Sequence, residues 1–288
     1  MNVKKKQFLV TGASGFIASH VSDFLTNEGL KVTLFDKIYS SHKKKKQKMI
    51  LGNLNNASDL YKVTKNIHTI FHFAATADLI EANKNPFTTV ENNIMGTVKI
   101  LKACLKNKVK KIIFASSIYA ISEQGGIYST SKLSSEMIIE QLCKKFNIKF
   151  VILRFGTVYG ERANKFNSVQ SYINTAKKKS KIFRETKGNE VRSYIHVKDV
   201  ARICYKSTMK KYENGHYNIF GNKKMIVKSL LNIIKKKIPK LKIFYSKHDK
   251  KSYNYKINPF TYKLRKGVNI KLKKYISIEK GINKLINK

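Results

Sequence analysis

The sequence has no tryptophan, three prolines, three cysteines and only 17 acids among 288 residues. Cys104, Cys143 and Cys204 are far apart, each inside a helical pattern. That spacing fits neither a disulfide framework nor a zinc site, so they read as buried thiols, and no metal is implied. No apolar run reaches the length of about 18 residues that a membrane-spanning helix needs. The start, MNVKKKQFLV, leads straight into an apolar strand pattern without the h-region of a signal peptide, as expected of a cytoplasmic protein. Arginine is also scarce, at six of the 59 basic residues. Surfaces that read nucleic acid draw on arginine forks as well as lysine, and here the lysines are spread over nearly every element. The net charge of +42 is therefore read as solvated lysine. It predicts attraction for anionic ligands and salt-sensitive, nonspecific polyanion binding, with no specific nucleic-acid partner.

What is present begins with the stretch from Phe8 to Asp36. An apolar run, Phe8-Leu9-Val10, enters a turn with Gly12 and Gly15, and a helical stripe follows at once in Phe16, Ile17, Val21, Phe24 and Leu25. A second apolar strand, Val32 to Phe35, ends on Asp36. Strand, glycine turn, helix, strand and terminal acid form the pattern of a dinucleotide site. The glycines admit a pyrophosphate, the helix N-terminus stabilises its charge, and the acid accepts from the adenosine ribose. Asp36 would repel a 2′-phosphate, which favours NAD over NADP despite the lysines of loop 40–48.

Alternation continues down the chain. Strand Met49 to Leu54 precedes a helix from Ala57 to Lys65, and strand 69–78 is apolar on both faces up to Ala74 and Ala75, where a buried parallel strand would meet a ligand. His72 within it reads as a core histidine. Pro86 opens a long helix with Val90, Ile94, Val98, Leu101 and Leu105 on one stripe. Strand 111–117 ends on Ser116 and Ser117, helix Leu133 to Lys145 follows, and strand 150–156 comes next. The fold class is α/β, a Rossmann-type doubly wound parallel sheet. Residues 1–160 form the dinucleotide-binding domain and 161–288 a smaller α/β substrate domain, with segments near 191–220 returning to the first. The smaller part holds a helix from Val169 to Lys177, a strand at 216–220 and a helix from Val227 to Lys237. It ends with a strand in LKIFY and a final helix in YISIEKGINKLI.

Within YSTSK, Tyr128 and Lys132 are four residues apart, so on a helix they share a face. A phenol ionises near 10, and bringing it to about 7 takes roughly 4 kcal/mol of preferential phenolate stabilisation. A neighbouring ammonium and the positive ring of an oxidised nicotinamide can supply that. With a strand-end serine to hydrogen-bond the reacting oxygen, the set points to alcohol oxidation or carbonyl reduction by hydride transfer.

The pieces TGASGFIASH, FHFAAT, NIMGT, FASS, YSTSK, ILRFGTVYGER, VRSYIHVKDVA and YNIFG come in order over residues 8–235. On them the chain resembles the extended short-chain dehydrogenase/reductase family, the NAD-dependent sugar-nucleotide epimerases and dehydratases. The resemblance implies that Tyr128 is the acid/base, Lys132 holds the nicotinamide ribose and lowers the tyrosine pKa, and Ser117 binds the sugar oxygen. It assigns Gly12, Ser14, Gly15, Phe16, Ile17, Asp36, Asn53, Leu54, Ala74, Ala75 and Asn93 to the cofactor, with Asn93 ordering the lysine. Thr76, Thr157 and Arg192 fall to the substrate, a nucleoside-diphosphate sugar. Helices around 93–107 and 132–146 would pair two copies into a homodimer.

Three departures stand out: Ala18 replaces the third glycine, Asn53 replaces an acid, and Tyr128 follows Ser117 by only eleven positions where the family has a longer loop. Family dehydratases carry an Asp-Glu pair after the strand-end hydroxyl; Ile118 and Tyr119 stand there. Members that epimerise C3 and C5 have a histidine after the Y-G element, where this chain has Glu161 and Arg162. The expected function is an NAD-dependent nucleotide-sugar 4-epimerase. The alternatives are an NAD(P)H-dependent 4-keto-sugar reductase and a non-catalytic nucleotide- or RNA-binding relative.

Overall fold

A computed structural model describes residues 6–246 and Phe260. Seven strands form one parallel sheet in the order β3 (Lys48–Leu51), β2 (Lys31–Asp36), β1 (Gln7–Thr11), β4 (Thr69–His72), β5 (Lys111–Ser117), β6 (Lys149–Phe155), β10 (Gly215–Ile219). The first half runs β1 (Gln7–Thr11), α1 (Phe16–Asn27), β2 (Lys31–Asp36), β3 (Lys48–Leu51), α2 (Ala57–Val63) and β4 (Thr69–His72). Short helices α3 (Leu79–Lys84) and α4 (Pro86–Val90) lead through a π-helical stretch, Glu91–Met95, into α5 (Gly96–Lys106). Next come β5 (Lys111–Ser117), a 3₁₀ turn at Ile118–Ile121, α6 (Gly126–Lys145) and β6 (Lys149–Phe155).

Side-chain alternation along buried strands explains the two cores. Phe8 and Val10 of β1 face one side, with Val21 and Leu25 of α1; Leu9 faces the other, with Leu60, Ile100 and Leu101. His72 is buried and hydrogen-bonded to Thr11 Oγ1 at 2.8 Å and Thr97 Oγ1 at 3.3 Å, as a core histidine should be. Burial pushes its imidazole down to about 3. All three cysteines are free and buried, and burial pushes the Cys143 thiol up to about 12.

The remaining described elements are β7 (Thr157–Tyr159), α7 (Ser168–Lys179), β8 (Lys181–Arg184), β9 (Val191–His196), α8 (Val197–Lys206), β10 (Gly215–Ile219), β11 (Lys224–Ile226), α9 (Val227–Lys237) and β12 (Lys242–Tyr245). Of the segments expected to return, β10 extends the large sheet beside β6, and Val200, Ala201 and Cys204 of α8 share the core of α1. By contrast, β9 pairs with β7 and β11 in a separate three-stranded sheet. A third core, built on Ala176, Ile182, Leu231 and Ile234, joins α7, β8 and α9.

Several bounds differ from the sequence reading. The fourth strand stops at His72 rather than 78, because Phe73 and Ala74 turn beneath Gly12: a Cβ there would sit 2.7 Å from Ala74 N. The third strand ends at Leu51, and Asn53 and Leu54 lie in the following turn. The long helix after Pro86 is interrupted by the π-helical stretch. The final helix expected in YISIEKGINKLI lies outside the described residues. Among the described residues, no helix is long and apolar enough to cross a membrane.

Candidate active site

A single cleft of about 930 Å³ runs along the C-terminal ends of the large sheet and on to the smaller sheets. One end is the glycine turn. Gly12 has φ +66°, a conformation that favours glycine, so the close passage of Phe73 and Ala74 after β4 requires it as much as any ligand does. Gly15 caps α1 with no side-chain hydrogen bond, so the first-turn N–H groups carry no side-chain acceptor. Asp36 Oδ2 accepts from Ser14 N at 2.9 Å and Oδ1 from Ile38 N at 3.2 Å, fastening the turn to the end of β2. Each carboxylate oxygen retains a lone pair for a ribose hydroxyl. Asn53 Oδ1 accepts from Asn55 N, leaving its amide N–H groups. Ala18 is buried in the core, as close helix packing requires. An uncapped helix N-terminus, a terminal acid and this cleft fit the pyrophosphate and ribose of a dinucleotide.

Midway lies the reactive set. Ser117 is the last residue of β5, and Tyr128 and Lys132 sit on the inner face of α6, both buried. Burial pushes the Tyr128 phenol pKa up, opposed by the neighbouring Ser117 side chain, with Asp78 adding to the rise. Lys132 Nζ donates to Ala115 O at 2.9 Å and lies 5.0 Å from the Phe114 ring centre. Burial lowers its ammonium to about 8, partly opposed by Glu136. The protein by itself therefore leaves the tyrosine a weak acid.

The shortened loop leaves Ser117 in reach of Tyr128. Its 3₁₀ turn is tied to α6 by Ser129 Oγ, which donates to Tyr119 O at 2.6 Å, and it closes through Gly125 at φ +108°. A Cβ on Gly125 would lie 2.8 Å from Ser129 Cβ.

Most of the residues expected from the sequence line the cleft: Gly12, Ser14, Gly15, Phe16, Ile17, Asp36, Asn53, Leu54, Ala74, Ala75, Ser117, Tyr128, Lys132, Thr157 and Arg192. Thr76 and Asn93 stand behind its wall. Asn93 Oδ1 accepts from Thr76 N at 2.7 Å, while its Nδ2 donates to Thr76 O and to Ser131 Oγ. Asn93 thus clips the segment after β4 to the helix bearing Lys132, and its neighbour Asn92 lines the cleft instead.

Sequence reasoning missed the far end. There Arg184 Nη2 donates to Glu190 Oε1 at 2.7 Å and Nη1 to the Tyr172 hydroxyl. Arg184 Nε and Glu190 Oε2 are buried without partners, a rare state for protein polar atoms and one that suits a polar ligand. Only the clustering of Arg184, Thr186 and Glu190 in a polar segment could have signalled it.

A dinucleotide turn, a Ser-Tyr-Lys set and a polar far end in one cleft define a nicotinamide-dependent oxidoreductase-type enzyme on a Rossmann sheet. The model of the NAD dependent epimerase/dehydratase family matches residues 8–219, and the chain belongs to that family. A putative UDP-glucose 4-epimerase of Methanocaldococcus jannaschii is 28% identical over 251 residues, covering 80% of this chain and 82% of the relative. The UDP-glucose 4-epimerase of Thermotoga maritima, solved with UDP-glucose, superposes with a TM-score of 0.78 at 25% identity, covering 83% of this chain and 85% of that one. A UDP-glucuronic acid 4-epimerase of Bacillus cereus, solved with a UDP-sugar analogue and NAD, has a TM-score of 0.76 at 25% identity, covering 83% and 86%.

Proposed function

We propose that the chain is an NAD-dependent nucleotide-sugar 4-epimerase. The observation that carries this reading is the Ser117, Tyr128, Lys132 set at the middle of the cleft, with Ile118 and Tyr119 in place of a dehydratase's acid pair. Asp78, the carboxylate that acts on Tyr128, is already engaged as the cap of α3, accepting from Glu81 N at 2.8 Å. Gly12, Ser14, Gly15, Phe16 and Ile17 would hold the coenzyme's pyrophosphate, Asp36 its ribose, and Asn53 and Leu54 its adenine. The carboxylate of Asp36 favours NAD over NADP.

The nicotinamide supplies a hydride acceptor and donor when bound. Tyr128 takes the proton of the sugar C4 hydroxyl and later returns one, Ser117 hydrogen-bonds the same oxygen, and the Lys132 ammonium favours the phenolate. Turning of the 4-keto sugar between the two steps would invert C4. Arg192, Arg184 and Glu190 would hold the nucleoside diphosphate. The test incubates purified protein with a panel of nucleotide sugars and reads C4 configuration by NMR. Inversion without net coenzyme turnover supports the proposal. Stoichiometric oxidation of reduced coenzyme would assign a 4-keto-sugar reductase instead, and no turnover at all would return the non-catalytic alternative.

A homodimer is part of the proposal. Met95 and Met137 are exposed on the helical segments 93–107 and 132–146, and Phe87 of the adjoining α4 is 89% exposed, which supports a helical interface there. Light scattering that gives a monomeric mass would reject it.

A further inference from the structure

The inner face of α6 carries one ionised group that the proposed chemistry does not use. Glu136 is 1% exposed and lies one helical turn beyond Lys132. Its Oε1 accepts from Ser116 Oγ and from Arg154 Nε at 3.0 Å; Oε2 accepts from Arg154 Nε at 3.1 Å and Nη2 at 2.6 Å. Ser116 and Arg154 are register partners on β5 and β6, and Ser116 directly precedes Ser117. One carboxylate therefore joins the helix of Tyr128 and Lys132 to the strand end that presents Ser117.

A buried ion pair is weak evidence for stability, because well-packed apolar residues often serve as well or better. Its place beneath the reactive face gives it another use. Lys132 donates to a single carbonyl, that of Ala115, and Glu136 is the acidic group that favours its charged form. The other ionisable groups around this turn are Tyr128, Arg154, His72, which is held neutral, and Asp78.

We propose that Glu136 is a positioning residue. With Arg154 and Ser116 it fixes α6 against the end of β5, so that Tyr128, Lys132 and Ser117 address one reacting oxygen, and it serves as the buried counter-charge of the Lys132 ammonium. This rests on the reading of Tyr128 and Lys132 as the reacting pair.

Two measurements test it, on Glu136→Gln and on the double variant Glu136→Leu with Arg154→Leu. The double variant removes both charges at once, so the protein should fold even if a lone Arg154 is not tolerated. Thermal melting and NAD titration verify that each is folded. The first measurement follows lysine ionisation by NMR of ¹³Cε-labelled protein. Lys132, assigned by its loss in Lys132→Met, titrates well below ordinary lysines at about 10.4. In Glu136→Gln its midpoint falls by about half a unit or more, because an attractive negative charge is gone. The second is steady-state kinetics: kcat falls roughly 10- to 100-fold in both variants while KM for the nucleotide sugar stays within about threefold, as expected when geometry rather than binding is lost. Folded variants with an unmoved lysine midpoint and wild-type kcat overturn the inference. The lysine titration needs no turnover, so inactivity of the wild-type protein on every nucleotide sugar would count against the proposed reaction alone.

Discussion

Tyr128 and His72 show burial acting in opposite service. For His72, the unfolded imidazole binds its proton near 6.5 and the native one only near 3, so between those values the unfolded state holds more protons. Its contribution to stability is complete above 6.5 and is lost as pH falls toward 3. Acidification from pH 7 to about 4.5 should therefore remove roughly 2–3 kcal/mol through this residue. Urea unfolding at both pH values checks this: the pH slope should shrink in His72→Asn, and an unchanged slope would mean that His72 is not the titrating group. For Tyr128, burial raises a pKa that the proposed chemistry needs lowered, which ties the tyrosine's reactivity to bound coenzyme. Tyr128→Phe should retain NAD affinity and lose about 10²- to 10⁴-fold in kcat. At the far end, Arg184→Met strips Glu190 of its cation and should raise KM for a nucleotide sugar about tenfold with little change in kcat, the signature of lost uniform binding. A fall in kcat at constant KM would place Arg184 near the chemistry instead.

Between Ser117 and Tyr128 the chain has little room, and Gly125 makes the connection possible. Alanine there must take φ +108° and set its Cβ 2.8 Å from Ser129 Cβ. Gly125→Ala should cost about 1–3 kcal/mol and lower kcat, because the start of α6 and the 3₁₀ turn shift together. Differential scanning calorimetry with kinetics checks the pair of effects; a stability loss with intact kcat would uncouple the loop from the site. The same elements show what the sequence could reveal. β1, β5 and α1 were legible because buried parallel strands are nearly continuous apolar runs and α1 keeps one apolar stripe. Ser117, Tyr128 and Lys132 were legible as a set because each falls at an element end or on one helical face. β7, β8, β9 and β11 were not assigned, since three to six residues of mixed polarity in a lysine-rich segment carry no clear period. Thr76 and Asn93 do not line the cleft, for another reason. Their order in the chain resembles a binding segment, but the π-helical stretch turns Asn93 inward to brace the backbone. Glu136 reads in sequence as one more polar residue of an amphipathic helix, and only the register of Ser116 with Arg154 shows why it is buried.

At the scale of the whole molecule, 59 basic residues face 17 acids, so most lysines have no anionic partner within the protein. Like charges at this density repel one another in the native state more than in an expanded chain, and dissolved salt screens that repulsion. The Debye length falls from about 30 Å at 0.01 M to about 10 Å at 0.1 M. Raising salt from about 10 mM to about 300 mM should accordingly raise Tm by several degrees, since roughly 1 kcal/mol corresponds to about 2–4 °C in a chain of this size. A Tm that falls with salt would mean that attractive ion pairs such as Arg162 with Asp23 and Arg184 with Glu190 outweigh the repulsion. The same charge predicts that RNA binding, measured by fluorescence anisotropy, declines steeply as a power of salt concentration and without sequence preference. Both readouts must move together: the screening that stabilises the fold is the screening that releases the polyanion. RNA binding that persisted at about 0.5 M salt would need contacts beyond charge, and the lysines would then be a recognition surface rather than a solvated one.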